Sequence, residues 1–174
     1  IHIHINAAPH TARNLWNITN IMAAKEDLIF KALQVDEARA KRYCKKADPL
    51  FILGINHSKP KTLDDVQNLW YSGHDGSGVH YHESRYHFLN LHSFWHGNHT
   101  VELRGFNSEL HAGKIRSYIV LALAINRQAL TQKSASARKP QVENEKFAMR
   151  TYLNRIGFIG EEFANCREHL TAHR

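Results

Sequence analysis

Glu102 and Arg104 stand two residues apart in "VELR", 101 to 104, so a strand there would carry a carboxylate and a guanidinium on one face and Val101 and Leu103 on the other. That pair suits phosphoryl transfer, where the carboxylate binds a metal ion and the guanidinium neutralises charge on phosphate oxygens. Taken alone it is also a common surface ion pair. "IHIHIN", 1 to 6, adds a second polar strand face: Ile1, Ile3 and Ile5 alternate with His2, His4 and Asn6. Two imidazoles on one face can begin a metal site, and a zinc hydrolase with a third ligand from "HYH", 80 to 82, is one chemistry open to them. Ordinary hydrogen-bonded histidines are the other reading. "SRYHFLN", 84 to 90, is a third polar strand. Cys44 and Cys166 lack any Cys-x-x-Cys spacing and have no local nucleophile signature.

The remaining segments must position these strands. Thr11 can cap a long helix running to about Val35 with a break near Ala24, and "DEARAKRYCKK" is a second helical piece stopped by Pro49. Thr62 and Asp65 form a capping-box pair for a helix ending at Gly73. "GHDGSGVHYHES" is expected as a loop, and "SRYHFLNLHSF" and "TVELRGF" as hairpin strands joined by a Gly97-Asn98 turn. "LHAGKIRSYIVLALAINRQAL" is the strongest helix, its apolar face drawn through Ile115, Ile119, Ala122, Leu123 and Leu130. Few strands and long helices give an α+β class, an antiparallel sheet packed by helices. One domain is expected over 1–174, with sheet and core helices in 1–134 and, after the loop "KSASARKPQ", a helical tail in 141–174 hinged at Gly157 to Gly160.

The bulk numbers bound the function. The chain is 43% hydrophobic and 22% charged, the composition of a packed globular protein, and no apolar run is long enough to span a bilayer. Two cysteines are too few for a disulfide framework, so a reducing cytoplasm is expected. A net charge of +7 points to an anionic partner, nucleic acid or a phosphorylated ligand, although the lysines and arginines form no long run. Fourteen histidines are an excess that the motif positions do not absorb.

Read together, "IHIHIN", "NIMAAKEDLIFKAL", "RYCKK", "TLDDVQNLWY", "SRYHFLNLHSF", "TVELRGFNSELHAGKIRSYIVLALAI" and "FAMRTYLNRIGFIGEEFANCREHL" resemble the amidoligase family of the carboxylate-amine ligases. The resemblance runs from Ile1 to about Leu170 and is most specific in "VELRGFNSELHAGKIRSYI". It implies a glutamine-synthetase-like fold and ATP-dependent amide formation, in which a carboxylate and an amine, on small molecules or peptides, are joined through an acyl phosphate. Carried over, His2 and Glu102 hold Mg2+ or Mn2+, His4 contacts ATP phosphate, Arg104 steadies the transferring phosphoryl group, and Arg85 and Asn90 face the substrate. The four side chains His2, His4, Glu102 and Arg104 should then share one cleft.

The family also has a Gly-x-Glu-x-Glu strand ahead of its His-x-His strand, and no such segment occurs in this sequence; "GEE", 160 to 162, lies in the helical tail. The expectation is therefore of a C-terminal part lacking the first strands, inactive by itself, its site completed by an N-terminal segment or a second chain. The alternative is a degenerate ligase fold serving as a nucleic-acid- or protein-binding module, without a membrane role.

Overall fold

The computed structural model describes residues 1–172 and is α+β. Its sheet has three strands, with β3 (Thr100–Leu103) in the middle and β1 (Ile3–Asn6) and β2 (Leu89–Asn90) antiparallel on either side. A single parallel bridge between Lys45 and His87 extends it past β2. In β1 the isoleucines turn towards the helices and His4 and Asn6 are exposed, as period-two alternation requires.

Two long helices cover the apolar side of the sheet. α1 (Ala12–Ala32) starts with a capping box in which Thr11 and Asn14 satisfy each other's backbone N–H groups. It runs through Ala24 without a break, because Leu15, Ile18, Met22 and Ile29 all reach the same core and nothing interrupts the backbone ladder. α2 (Glu37–Arg42) follows. The expected helical piece stops at Arg42, ahead of Pro49, and Pro49 instead opens a helix: α3 (Pro49–Ser58) takes it in the first turn, where a missing N–H costs nothing, with Asp48 as cap. α4 (Leu63–Trp70) begins at the Thr62–Asp65 capping box.

The expected strand over "SRYHFLNLHSF" is corrected. The chain forms a 3-10 turn at Glu83–Arg85, keeps two strand residues in β2, and enters a one-turn helix, α5 (His92–Trp95). Side chains compete with the ladder here: His82 accepts from the Ser84 N–H, and Asn90 Oδ1 accepts from the His92 N–H, which bends the backbone out of the sheet. β2 and β3 still pair, but α5 and a loop with positive φ at Gly97 and His99 replace the tight hairpin.

α6 (Ala112–Thr131) forms as its pattern requires, but on a different face. Tyr118, Leu121, Ala122, Ile125 and Ala129 are buried, while Ile119 and Leu123 stand exposed. The helix is apolar on more than one side, so periodicity alone does not choose the side that meets α1. The tail folds as α7 (Glu145–Arg155) and α8 (Ala164–Thr171), turning through Gly157 and Gly160 at φ 103° and 92°. Met149, Leu153, Cys166 and Leu170 join the same core. Among the described residues no helix is long and apolar enough to cross a membrane.

Candidate functional site

The polar side of the sheet carries the site. Register places His4 opposite Glu102 on one side and Asn90 opposite Glu102 on the other, so Glu102 occupies the middle of a row across three strands. His2, just ahead of β1, points the same way by alternation. Glu102 and Arg104 are both buried, at 2% and 4% exposure, while His2 and His4 remain partly open to solvent. A carboxylate and a guanidinium so enclosed differ from the surface ion pair that the sequence also allowed.

The two oxygens of Glu102 have different partners. Oε2 accepts a hydrogen bond from Asn90 Nδ2 at 2.6 Å and lies 3.8 Å from Arg104 Nη1. Oε1 lies 3.1 Å from His2 Nδ1 and 3.3 Å from His4 Nε2, yet it is buried without a hydrogen bond of acceptable geometry. Burial alone would raise the Glu102 carboxyl. The partners His2 and Asn90, with the Arg104 and His4 charges, outweigh it and hold the group down to about 2, so it is an anion at neutral pH.

Arg104 is a buried cation with spare donors. Its Nε and Nη1 have no hydrogen-bond partner, and its guanidinium lies over the Tyr86 ring, 5.4 Å from the centroid. Burial lowers its pKa and the Arg85 charge adds to this against the pull of Glu102, but a guanidinium stays protonated. Arg85 lies over Tyr81 and over the same Tyr86 ring, and donates Nη1 to the His80 carbonyl. It belongs to the 3-10 turn rather than to a strand.

His2, His4, Glu102 and Arg104 therefore lie together, with Asn90 behind the carboxylate and Arg85 beside Tyr86. Three contributors were not singled out in the sequence. Thr100 contacts His4 Nδ1 through Oγ1 at 2.8 Å; it lies two residues before Glu102, so its place on this face was readable from strand period. Arg39 donates to the carbonyls of Arg104 and Gly105 and to Asn107 Oδ1, pinning the end of β3, and nothing local announces it. Tyr86 owes its role to the turn that replaces the expected strand.

Could a metal ion fit? Two donor atoms on one ion, each at about 2.1 Å and roughly 95–105° apart, lie about 3.1–3.3 Å from each other. The Oε1 separations from His2 and His4 fall in that range, and an unpartnered buried carboxylate oxygen is what a cation would satisfy. His2, His4 and Glu102 supply donor atoms of a suitable type without enclosing an ion. Among the described residues no cluster of three or more His, Cys, Asp or Glu is arranged to enclose an ion. The "HYH" histidines do not join His2 and His4: His82 Nδ1 is engaged by Ser84, and His80 faces His96. A separate cavity of about 640 Å³ opens between α3, α4 and residues 82–89, near Trp70, Lys45 and His87; the Glu102 group does not border it.

An α+β domain with one polar sheet face built around a buried Glu–Arg pair is the class that these observations define. The sequence model of the family described as "Putative amidoligase enzyme" matches residues 1–126, and the chain belongs to that family. The match covers the sheet, α1 to α5 and most of α6; α7 and α8 lie beyond it and complete the core. No curated protein and no solved structure matches the chain.

Proposed function

We propose that this chain carries the metal- and phosphate-binding face of an ATP-dependent amidoligase with a glutamine-synthetase-like sheet. The observation that carries the reading is the buried Glu102–Arg104 pair, with one orphaned carboxylate oxygen facing two imidazoles and two unpartnered guanidinium nitrogens. Buried polar groups left without partners mark places where a ligand supplies them.

In this reaction a substrate carboxylate oxygen attacks the terminal phosphorus of ATP and ADP leaves. An amine then attacks the acyl carbon, inorganic phosphate leaves, and the nitrogen gives up a proton. Glu102 and His2 would hold Mg2+ or Mn2+, which neutralises phosphate charge when bound. His4, beside Glu102, would contact the phosphate oxygens. Arg104 offers Nε and Nη1 to the transferring phosphoryl group, already desolvated and stacked on Tyr86, so little reorganisation is needed as charge develops. Asn90 keeps Glu102 aimed, and Arg85, over Tyr81, would meet the anionic end of the acid.

Mg2+ prefers oxygen ligands, and imidazole nitrogen shifts the preference towards Mn2+. Further oxygens would come from ATP, water, or a segment or second chain outside these residues. A second reading, a ligase fold reused as a binding module, is favoured by one observation: among the described residues His2, His4 and Arg104 share a single carboxylate, Glu102.

Isothermal titration of Mn2+ and Mn2+–ATP into wild type and Glu102→Gln separates the two. The ligase reading expects binding that Glu102→Gln weakens at least tenfold. Equal titration curves for both proteins would favour the binding module.

A further inference from the structure

We propose that His92 is a positioning residue that ties the placement of the loop 73–82 to the Asn90 amide that holds Glu102. This rests on the function above only in taking Glu102 as the working carboxylate.

The His92 ring is 2% exposed and bonded at both nitrogens. Its Nε2 lies 2.8 Å from the Val79 carbonyl oxygen, which can only accept, so Nε2 carries the hydrogen. Nδ1 then accepts a hydrogen bond from the Tyr71 hydroxyl, at 2.5 Å. The main-chain N–H of the same residue donates to Asn90 Oδ1 at 2.8 Å, which fixes the amide orientation and leaves Nδ2 to reach Glu102 Oε2. One residue thus contacts the loop through its ring and the site through its backbone. Ser93, next along α5, bonds the carbonyls of Asn90 and Thr100, so the start of α5 is braced across β2 and β3 and cannot shift without moving both.

The loop is held largely by this segment, with Gln67 of α4, which donates to Asp75 Oδ1, as a further tie. Apart from its own turns, its carbonyls are held by three side chains: His96 Nδ1 on Ser77, His92 Nε2 on Val79 and Arg85 Nη1 on His80. All three donors come from residues 85–96, which include β2. The loop enters at Ser72 and Gly73, both at positive φ, and its buried Gly76 presses on the His82 ring, which stacks on His92. Three of the fourteen histidines, His82, His92 and His96, form a stacked series here, from the end of the loop into α5 and the residue after it.

The test compares His92→Ala, His92→Gln and Gly76→Ala by amide hydrogen exchange over 74–82 and by the Asn90 side-chain NH2 resonance in 15N spectra. His92→Ala is expected to raise loop exchange at least tenfold and to move the Asn90 resonance. Gln can still donate from Nε2 to Val79 and should keep both near wild type. Gly76→Ala puts a Cβ 2.4 Å from His82 Nε2, displacing the loop without touching the sheet, and should also move Asn90. If His92→Ala does not fold, Gly76→Ala decides. A loosened loop with the Asn90 resonance unmoved overturns the coupling, as does a loop still protected in His92→Ala. Mn2+ titration of the wild type is run alongside: absent binding counts against the metal reading, whereas the coupling is judged on Asn90.

Discussion

Asn90 and Glu102 are register partners on β2 and β3, and the amide of one donates to the buried carboxylate of the other at 2.6 Å. The same Asn90 accepts from the His92 backbone, so both of its hydrogen-bonding ends are used within the protein. A short two-residue strand is enough to hold a buried anion because its one polar side chain is locked at both ends. Glu102 can then offer its other oxygen outward to His2 and His4.

Asn90→Ala leaves Glu102 Oε2 buried without a donor. The expected cost is about 1–3 kcal/mol of folding stability, the penalty for an unsatisfied buried acceptor, and hydrogen bonds to charged groups lie at the upper end. Asn90→Asp should cost more at pH 7, because it puts a second carboxyl against an ionised one, and should recover as pH falls towards 4. Urea unfolding at both pH values checks the pair; equal losses at both would mean that the introduced carboxyl is held away from Glu102.

Arg104→Lys keeps a positive charge and loses the planar fork and the stack on Tyr86. If the free Nε and Nη1 serve a phosphate, the affinity for Mn2+–ATP should fall at least tenfold, about 1.4 kcal/mol. Calorimetric titration reads this directly. Unchanged affinity would leave Arg104 as a partner of Tyr86 and Glu102 with no part in phosphate binding.

Much of this site was readable from strand period. Alternation put His2 with His4 on one strand face and Glu102 with Arg104 on another, with Thr100 under the same rule, while the meeting of the two faces rested on the family resemblance and on the register that the structure adds. What alternation could not show is the break after Asn90, where an Asn side chain captures the next helix's N–H, or the turn at Glu83–Arg85 that hands Tyr86 to Arg104. Those are side-chain-to-backbone bonds, and their strength against a ladder depends on whether a partner strand continues. The buried face of α6 was equally out of reach, because Ile119 and Leu123 are as apolar as the residues that are buried. Tertiary contact with α1 made that choice.

Gly105, directly after Arg104, has a reason that the sequence does not give. A Cβ there would lie 1.8 Å from Phe88 Cδ2, inside the aromatic group that Phe88 forms with Phe30 and Phe106. Gly105→Ala must therefore push Phe88 or the end of β3 aside, at about 3 kcal/mol, the upper end for overpacking. Thermal unfolding tests the cost. A loss under about 1 kcal/mol would show that Phe88 can turn away freely.

His10 supplies a pH dependence that is independent of the site. Its ring is 4% exposed, Nε2 donates to Asn126 Oδ1 at 2.7 Å, and Nδ1 is buried with no partner. Burial pushes its pKa below the usual 6.5; the Asn126 bond opposes the shift and the nearby His99 adds to it. The folded protein thus prefers the neutral ring. The unfolded chain takes a proton near pH 6.5, so the stability due to neutral His10 is complete above that value and drains away as pH falls towards the lower folded pKa. Gln at this position can keep a donor for Asn126 and does not titrate. The stability difference between wild type and His10→Gln, measured by urea unfolding, should therefore move against the wild type between about pH 7.5 and 5.5. Parallel losses in the two proteins would mean that the buried Nδ1 finds an acceptor when it is protonated.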